Sequence, residues 1–334
     1  MKVGWNDLFT KTFFAPPSVV PAWTSRMKKF REVAEGKFPL VETGKVPISE
    51  YAKVHCLELI EAVLELNKRG GVLDYGDTYV YEGSAEVLEA ILGALYYGYQ
   101  HLEDKIFYSP YGGLHHASRC EASGFCPLND VAVLIQKATE EGKRVAYLDF
   151  DAHHGNGTQE IFYERDDVLT VSIHAYFPGF YPGTGHYSEL GRGNGYGYSL
   201  NVPLPPWAGD EAYLKALELI VERAVNSFEP DLIVAQMGVD GHRGDPIGGV
   251  LNLTTNTYKR IGELLSSFGI PIIGAGGGGY GENSVRAMMA ELIGLSGKEE
   301  LWEEVREEPT RSPSEAIERV IAVKRFFESQ VSWF

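Results

Sequence analysis

The sequence predicts an α/β fold in which helices cover both faces of a single, mainly parallel β-sheet. Four short runs rich in Val, Ile and Leu lead into glycine-rich or polar loops, at 144–151, 168–174, 231–238 and 270–279. Such runs are typical of strands that are buried on both faces of a parallel sheet. Helical patterns at 210–226 and 254–268 alternate with them, as in a parallel sheet with helical connections. We therefore expect residues 1–334 to form one domain.

The segments before these strands show the same two kinds of pattern. Apolar residues recur at helical spacing over 48–70, and similar patterns predict helices at 84–99 and 128–141. Ser84 is expected to cap the second of these helices. The apolar run at 105–110 predicts a further strand.

Composition and charge argue against several classes of protein. The formal net charge of -16 and the pI near 5.0 oppose binding to nucleic acid or to anionic lipid, and favour cationic ligands. Cys56, Cys120 and Cys126 are too few for a disulfide framework and indicate a reducing compartment. The first residues lack the apolar core of a signal peptide, and no stretch approaches the ~18 apolar residues of a membrane span. We expect a cytoplasmic protein.

Acidic and histidine side chains follow two of the predicted strands. Asp149, Asp151 and His153 close the strand at 144–151, and Asp240 follows the strand at 231–238. Ligands of such sheets collect at the carboxyl ends of the strands, and a cation would offset the repulsion between neighbouring carboxylates. If the chain stays extended, Asp151 and His153 point to one face and could bind one ion with Asp240. The alternative is that the aspartates cap loops and the histidines lie in the core.

Two further segments carry side chains suited to hydrolysis. His115 and His116 follow the strand predicted at 105–110, where one imidazole could accept a proton while the other stabilises charge. Four glycines at 276–279 precede Tyr280 but lack the Lys-Ser/Thr of a P-loop and the spacing of a dinucleotide site. A glycine run permits close backbone approach and could place the Tyr280 hydroxyl beside a polarised carbonyl.

Six motifs from Asp77 to Tyr280 together resemble the histone deacetylase family, including bacterial and archaeal deacetylases and acetylpolyamine amidohydrolases. They are GGLHHASRCEASGFCPLND, YLDFDAHHGNGTQEIF, TVSIHAYFPGFYPGTG, VPLP, MGVDGHRGDP and GAGGGGY. The resemblance implies an arginase/deacetylase-like fold and hydrolysis of an acylated amine, such as acetyl-lysine or an acetylpolyamine, with one Zn2+ per chain.

The resemblance also implies a role for each residue that matches the family's motifs. The zinc ligands would be Asp151, His153 and Asp240. The catalytic residues would be His115, His116 and Tyr280, with Asp149 orienting His115 and Asn156 partnering His116. The substrate-binding residues would be Phe125 and Tyr181 as walls of an acyl-lysine tunnel, Gly124 beside the scissile amide and Asp77 at the rim. A buried K+ or Na+ site would involve Asp149, Asp151, His153, Ser172 and Ile173.

The chain departs from the family pattern at two of these positions. Asn156 stands where some relatives carry Asp, which would leave His116 less basic. Tyr181 stands where many relatives carry Phe, so that one tunnel wall gains a hydroxyl. The resemblance leaves the natural substrate, the acyl-chain preference and the oligomeric state open.

Two other functions compete with deacetylation. An arginase-type ureohydrolase with two metal ions carries Asp-Ala-His-x-Asp, but Gly155 occupies the last position of that motif here. A protein that binds acylated amines without hydrolysing them is the other alternative. The presence of every expected catalytic group, Tyr280 included, favours an enzyme.

Overall fold

Ten strands and ten α-helices follow one another in the computed structural model, which describes residues 1–334. The strands are β1 (Lys2–Trp5), β2 (Leu40–Glu42), β3 (Gly71–Val72), β4 (Tyr79–Val80), β5 (Ile106–Ser109), β6 (Val145–Asp149), β7 (Val168–Ala175), β8 (Ser199–Leu204), β9 (Leu232–Met237) and β10 (Ile272–Gly276). The helices are α1 (Val20–Ala34), α2 (Leu57–Leu66), α3 (Ser84–Gln100), α4 (Asp130–Glu140), α5 (Asn156–Phe162), α6 (Asp210–Ala216), α7 (Glu222–Phe228), α8 (Thr255–Ser267), α9 (Ser284–Ser296) and α10 (Ser314–Gln330).

Eight of the strands form one sheet in the order β2-β1-β5-β10-β9-β6-β7-β8, and every neighbouring pair in it is parallel. The predicted parallel sheet flanked by helices is therefore confirmed. Strands β3 and β4 form a separate antiparallel pair. Because the eight strands run in one direction, their carboxyl ends and the loops that follow lie along one edge.

The centre of the sheet is inaccessible to water. All residues of β6, β7, β9 and β10 are buried, as their unbroken apolar runs predict. A single cluster of 96 buried apolar residues forms one continuous core around the sheet. No α-helix of the structure is both long and apolar enough to cross a bilayer.

Two details of the predicted helices are wrong. The segment 48–70 is not one helix, because a 3-10 helix at Ile48–Lys53 ends before α2 begins. At the break, the backbone N–H of Cys56 donates to the carbonyl of Arg119 instead of continuing a helix. Ser84 is the first residue of α3 and not its cap, since its hydroxyl accepts the N–H of Tyr81 at 2.8 Å.

The first strand of the site is also shorter than its apolar run suggests. Strand β6 ends at Asp149, where the carboxylate accepts the N–H of Asp151 at 3.2 Å. The Asp151 carboxylate accepts the N–H of His153 at 3.0 Å in the same manner. These local bonds bend the chain away from the extended conformation. The expectation that Asp151 and His153 share a strand face is therefore wrong, and successive turns bring them together instead.

Candidate active site

The side chains singled out in the sequence meet at the carboxyl ends of four neighbouring strands. His115 and His116 follow β5, Tyr280 follows β10, Asp240 follows β9, and the Asp149–His153 segment begins at the last residue of β6. These strands are adjacent in the order β5-β10-β9-β6. Parallel topology thus brings segments far apart in sequence to one point at the edge of the sheet.

Asp151, His153 and Asp240 form a buried group, called the metal group below, whose candidate ligand atoms lie within 4.8 Å of one another. His153 Nδ1 lies 2.8 Å from Asp240 Oδ2 and 3.3 Å from Asp151 Oδ1. Backbone N–H groups hold the other oxygen of each carboxylate. The N–H of Gly278 donates to Asp151 Oδ2 and the N–H of Ala152 donates to Asp240 Oδ1, both at 2.8 Å. Each carboxylate is thereby fixed with one oxygen turned towards the histidine.

Close approach of the glycine run makes room for this group. A β-carbon on Gly278 would lie 2.5 Å from Asp240 Oδ2 and 2.9 Å from an Asp151 oxygen. No real β-carbon tolerates such distances. Gly278 is therefore needed because a larger residue would collide with the carboxylates of the metal group. The glycine run needs no phosphate ligand to explain it.

The electrostatics of the metal group favour a bound cation. Burial and the neighbouring Asp151 raise the pKa of Asp240 to about 7. Burial opposes a charged imidazole, but Asp240 and Asp151 together raise the pKa of His153 to about 10. Two buried carboxylates and an imidazole offer the oxygen and nitrogen ligands that Zn2+ accepts, and three protein ligands leave a position open. The residues present fit a catalytic zinc ion.

The two adjacent histidines have different partners and different proton affinities. His115 Nδ1 donates to Asp149 Oδ2 at 2.9 Å, and the charges of Asp149 and Asp151 raise its pKa although burial opposes this. His116 Nδ1 lies 2.7 Å from Asn156 Oδ1, and burial with the nearby His115 holds its pKa well below its usual range. His115 therefore holds a proton more readily than His116, whose imidazole stays neutral.

A cavity of about 230 Å3 reaches the metal group past Phe125 and Tyr181. Phe125 and Gly124 are the central residues of a tight turn, with φ of 65° and 56°, closed by two backbone hydrogen bonds between Ser123 and Cys126. Positive φ at both positions is the pattern of a type I′ turn. This turn ends the loop at 117–126, called the tunnel-wall loop below, and presents the Phe125 ring to the cavity.

Tyr181 also lines the cavity and packs closely on the same loop. Its ring meets the His116 ring edge-on, with centroids 5.0 Å apart. A β-carbon at Gly124 would lie 2.5 Å from His116 Cδ2 and 2.7 Å from the Tyr181 hydroxyl. The added hydroxyl of Tyr181 therefore narrows the passage directly beside His116.

Asp77 lies where the cavity opens and supports the tunnel-wall loop. Its Oδ1 accepts the N–H of Gly124 at 3.2 Å and the hydroxyl of Thr78 at 3.0 Å. Burial and the adjacent Asp74 raise the pKa of Asp77 to about 6. The carboxylate thus holds the turn in place, and the role of Asp77 as a substrate-binding residue at the rim stays a prediction.

Tyr280 is held at its backbone and packed at its ring. Its N–H donates to Asp245 Oδ2 at 2.6 Å, and Arg26 Nη1 donates to the carbonyls of Gly277 and Gly279, both at 2.9 Å. Burial and the carboxylate of Asp240 raise the pKa of the Tyr280 hydroxyl well above its usual value. The phenol therefore keeps its proton and can donate a hydrogen bond.

Several residues support the site through contacts that no local sequence pattern records, although Tyr147, Phe180 and Asp245 lie within the quoted motifs. Arg26 lies in α1, far from Gly277 in sequence, and only the fold brings the two together. Tyr147 donates to Asp149 Oδ2 at 3.0 Å from within an apolar strand. Phe180 stacks on His153 with ring centroids 4.9 Å apart. Asp245 falls within a quoted motif, but its bond to the Tyr280 backbone depends on the loop geometry.

The candidate K+ or Na+ site remains a prediction. Ser172 Oγ pairs with His174 Nδ1 at 2.9 Å, and the Asp149 carboxylate accepts from His115 and Tyr147. These bonds are the ordinary side-chain pairing that a loop without an ion would also show. Ile173 is buried in β7, between Ser172 and His174.

The position that would carry a further ligand in a two-metal ureohydrolase cannot accept a side chain. A β-carbon at Gly155 would lie 2.2 Å from Asp149 Oδ2 and 3.1 Å from His115 Nδ1. Asp149 and His115 already fill this space with their own hydrogen bond. The geometry therefore disfavours a second metal ion beside Asp151 and His153.

Comparisons with known proteins agree with the motifs. A model described as the histone deacetylase domain matches residues 17–295. Histone deacetylase 19 of Arabidopsis thaliana is 43% identical over 169 residues, which are 51% of this chain and 33% of that protein. Histone deacetylase B of Dictyostelium discoideum is 40% identical over 210 residues, or 63% of this chain and 47% of that protein. The matches thus span between a third and a half of the length of these relatives.

The architecture also matches a solved structure along its whole length. The crystal structure of the HDA15 HD domain superposes with a TM-score of 0.84 and 27% sequence identity. The superposition covers 99% of this chain and 96% of that one. The structural likeness therefore includes the segments before Asp77 and after Tyr280, which contain none of the quoted motifs.

Proposed function

The chain belongs to the histone deacetylase family, and on that premise we propose that residues 1–334 are one catalytic domain that deacetylates acylated amines with one zinc ion. The observation that carries the proposal is the arrangement of the site. The metal group lies at a narrow cavity whose walls also carry His115, His116 and Tyr280. An open ligand position, a neutral base and a protonated phenol are the groups that amide hydrolysis requires.

The metal group would supply the electrophile. When bound by Asp151, His153 and Asp240, a zinc ion would polarise the acetyl carbonyl and lower the pKa of a bound water towards about 7. The protein's own part is to hold the ligands with backbone N–H groups from Ala152 and Gly278. Such bonds fix ligand orientation before the metal arrives.

His115 and His116 would carry out the proton transfers. Because His116 Nδ1–H is held by Asn156, its Nε2 is free to accept a proton from the attacking water and later to return it to the leaving amine. His115, hydrogen-bonded to Asp149 and the more basic of the two histidines, would stabilise negative charge beside it when protonated. The Tyr280 hydroxyl would donate to the oxyanion that develops on the acetyl carbonyl. Acetate and a free amine are the products.

The substrate class follows from the cavity and the charge. A narrow passage between Phe125 and Tyr181 suits an acylated amine on a slender alkyl chain, as in acetyl-lysine or an acetylpolyamine. The formal net charge of -16 favours cationic substrates and disfavours nucleic acid and anionic membranes as partners. The cytoplasm, where thiols stay reduced, is the proposed location.

A fluorogenic acetyl-lysine amide tests the proposal directly. We expect release of acetate that stops when a chelator removes the metal and returns when zinc is added. Parallel assays with acetyl-spermidine, acetyl-putrescine and acetyl-lysine peptides would rank the substrates. Binding of these compounds without turnover, by protein loaded with one zinc per chain, would instead identify a protein that only recognises acylated amines.

The amide partner of His116 predicts a particular pH dependence. In Asn156→Asp, a carboxylate replaces the amide oxygen 2.7 Å from His116 Nδ1, and a nearby negative charge favours the imidazolium. The pKa of His116 should rise, so the acidic limb of the pH profile of kcat/KM should move to higher pH. The measurement is that profile for wild type and variant, each loaded with zinc. An unmoved acidic limb would show that His116 is not the group that titrates.

The tunnel walls predict a preference for short acyl groups. The Tyr181 hydroxyl lies beside Gly124 and His116, where a long apolar chain would have to desolvate it. We expect acetyl-lysine to react faster than octanoyl-lysine, and Tyr181→Phe to reduce that difference, because the hydroxyl is removed while the ring stays. Relative kcat/KM for the two acyl groups is the measurement. Faster octanoyl turnover by the wild type would contradict this assignment.

A further inference from the structure

Two of the three cysteines lie together where α2 begins. The Cys56 N–H donates to the carbonyl of Arg119 at 2.9 Å, which places Cys120, the next residue, beside it. The neighbouring Cys56 thiol raises the pKa of the Cys120 thiol. Both cysteines are free, with Cys120 exposed and Cys56 partly exposed, whereas Cys126 is buried. One backbone hydrogen bond thus brings two free cysteines of separate segments side by side, and neither is buried.

The segment that carries Cys120 also carries a wall of the active site. The tunnel-wall loop leaves His116 at one end and finishes in the Gly124–Phe125 turn at the other. Ser123 Oγ donates to the carbonyl of His116 at 3.1 Å, which ties the two ends of the loop together. Cys120 lies in the exposed middle of the loop.

The segment that carries Cys56 is also connected to the tunnel-wall loop, through the chain that follows α2. The chain after α2 and β3 reaches Asp77 and Thr78, which accept the N–H groups of Gly124 and Phe125 at 3.2 and 3.1 Å. The loop is thus attached to this part of the chain at its far end. A covalent bond between Cys120 and Cys56 would attach the middle of the loop to the same part of the chain.

We propose that, when the protein meets an oxidant, Cys56 and Cys120 form a disulfide bond that fastens the tunnel-wall loop to the start of α2, whereas both thiols stay reduced under the ordinary conditions of the cytoplasm. The inference concerns a covalent site outside the catalytic groups and does not depend on the proposed activity. The odd number of cysteines argues against a disulfide framework, but a single bond between these two thiols leaves only the buried Cys126 unpaired. The distant chain positions of the pair make such a cross-link an effective restraint on the unfolded chain.

The chemistry needs an oxidant, and a small disulfide such as oxidised glutathione supplies it. Cys120 loses its proton to solvent and its thiolate attacks one sulfur of the reagent, which releases one glutathione thiolate. Cys56, deprotonated in turn, attacks the Cys120 sulfur of the mixed disulfide and releases the second glutathione. Two protein thiols lose two electrons and two protons, and the reagent gains the electrons. Because the Cys56 thiol raises the pKa of Cys120, the first step should accelerate as the pH rises.

The test is oxidation of the protein of residues 1–334 with oxidised glutathione, followed by intact mass and peptide mapping. We expect a monomer that has lost two hydrogen atoms, a peptide joining Cys56 to Cys120, and a Tm about 4 °C or more above that of the reduced protein. Cys126→Ser should behave like the wild type. Cys120→Ser should lose the cross-link and the Tm increase, while its Tm under reducing conditions stays unchanged, because the residue is exposed.

Two results would overturn the proposal. A glutathione adduct that persists on Cys120 would mean that Cys56 cannot reach the Cys120 sulfur. A covalent dimer as the main product, at protein concentrations low enough to disfavour encounters, would mean that Cys120 reacts with a second chain and not with Cys56. Each result is read by mass and not by activity, so it leaves the proposed deacetylation untouched.

Discussion

Replacement of Tyr280 by phenylalanine is expected to lower turnover by about a hundred- to a thousandfold while leaving the bound zinc and the Tm unchanged. Loss of one preorganised donor to a developing oxyanion costs about 3 to 4 kcal/mol of transition-state stabilisation. The variant should stay folded because the Tyr280 backbone is held by Asp245 and the ring packs against Phe13, Trp23 and Phe125. None of these contacts uses the hydroxyl.

The measurements are kcat on the acetyl-lysine amide, zinc content and thermal unfolding of the same preparation. Tyr51→Phe is a matched control, since it removes a buried hydroxyl that donates to the Leu88 carbonyl at 3.0 Å, outside the site. We expect Tyr51→Phe to lose stability and keep its turnover. Near wild-type turnover of Tyr280→Phe would remove the phenol from the mechanism.

The central architecture could be predicted because its signals are local and strong. Strands β6, β7, β9 and β10 are buried throughout, so each appears in the sequence as an unbroken apolar run. The edge strand β2 is only three residues long and incompletely buried, and no apolar run in the sequence predicts it. Short edge strands carry too little periodicity to be distinguished from loops.

The geometry of the candidate site, by contrast, could be predicted only in part. Asp151, His153 and Asp240 could be grouped from their places at strand ends, but the assumed extended conformation was wrong, because Asp149 and Asp151 bend the chain through their own side chains. Arg26 could not be placed at all. Its bonds to the glycine run join residues at opposite ends of the chain, and no local pattern records such a contact.

Replacement of Asp240 by alanine is expected to abolish stoichiometric zinc binding and to lower turnover at least about a thousandfold, or about 4 kcal/mol. Only Asp151 and His153 would remain, and two ligands do not hold a catalytic zinc ion. The chain should nevertheless fold, because the substitution removes one of two buried carboxylates whose mutual repulsion helps to raise the pKa of Asp240 to about 7. Loss of metal and loss of structure can therefore be separated.

Thermal unfolding with and without added zinc makes that separation. A ligand that binds only the folded state raises its stability with concentration, so zinc should raise the Tm of the wild type and leave that of Asp240→Ala unchanged. Asp210→Ala is the matched control, since Asp210 is equally buried but binds Thr254, Thr257 and Thr310. That variant should lose stability yet respond to zinc as the wild type does. If Asp240→Ala still binds one zinc per chain, Asp240 is not a required ligand. If the wild-type protein keeps full activity in excess chelator, the metal itself is not required.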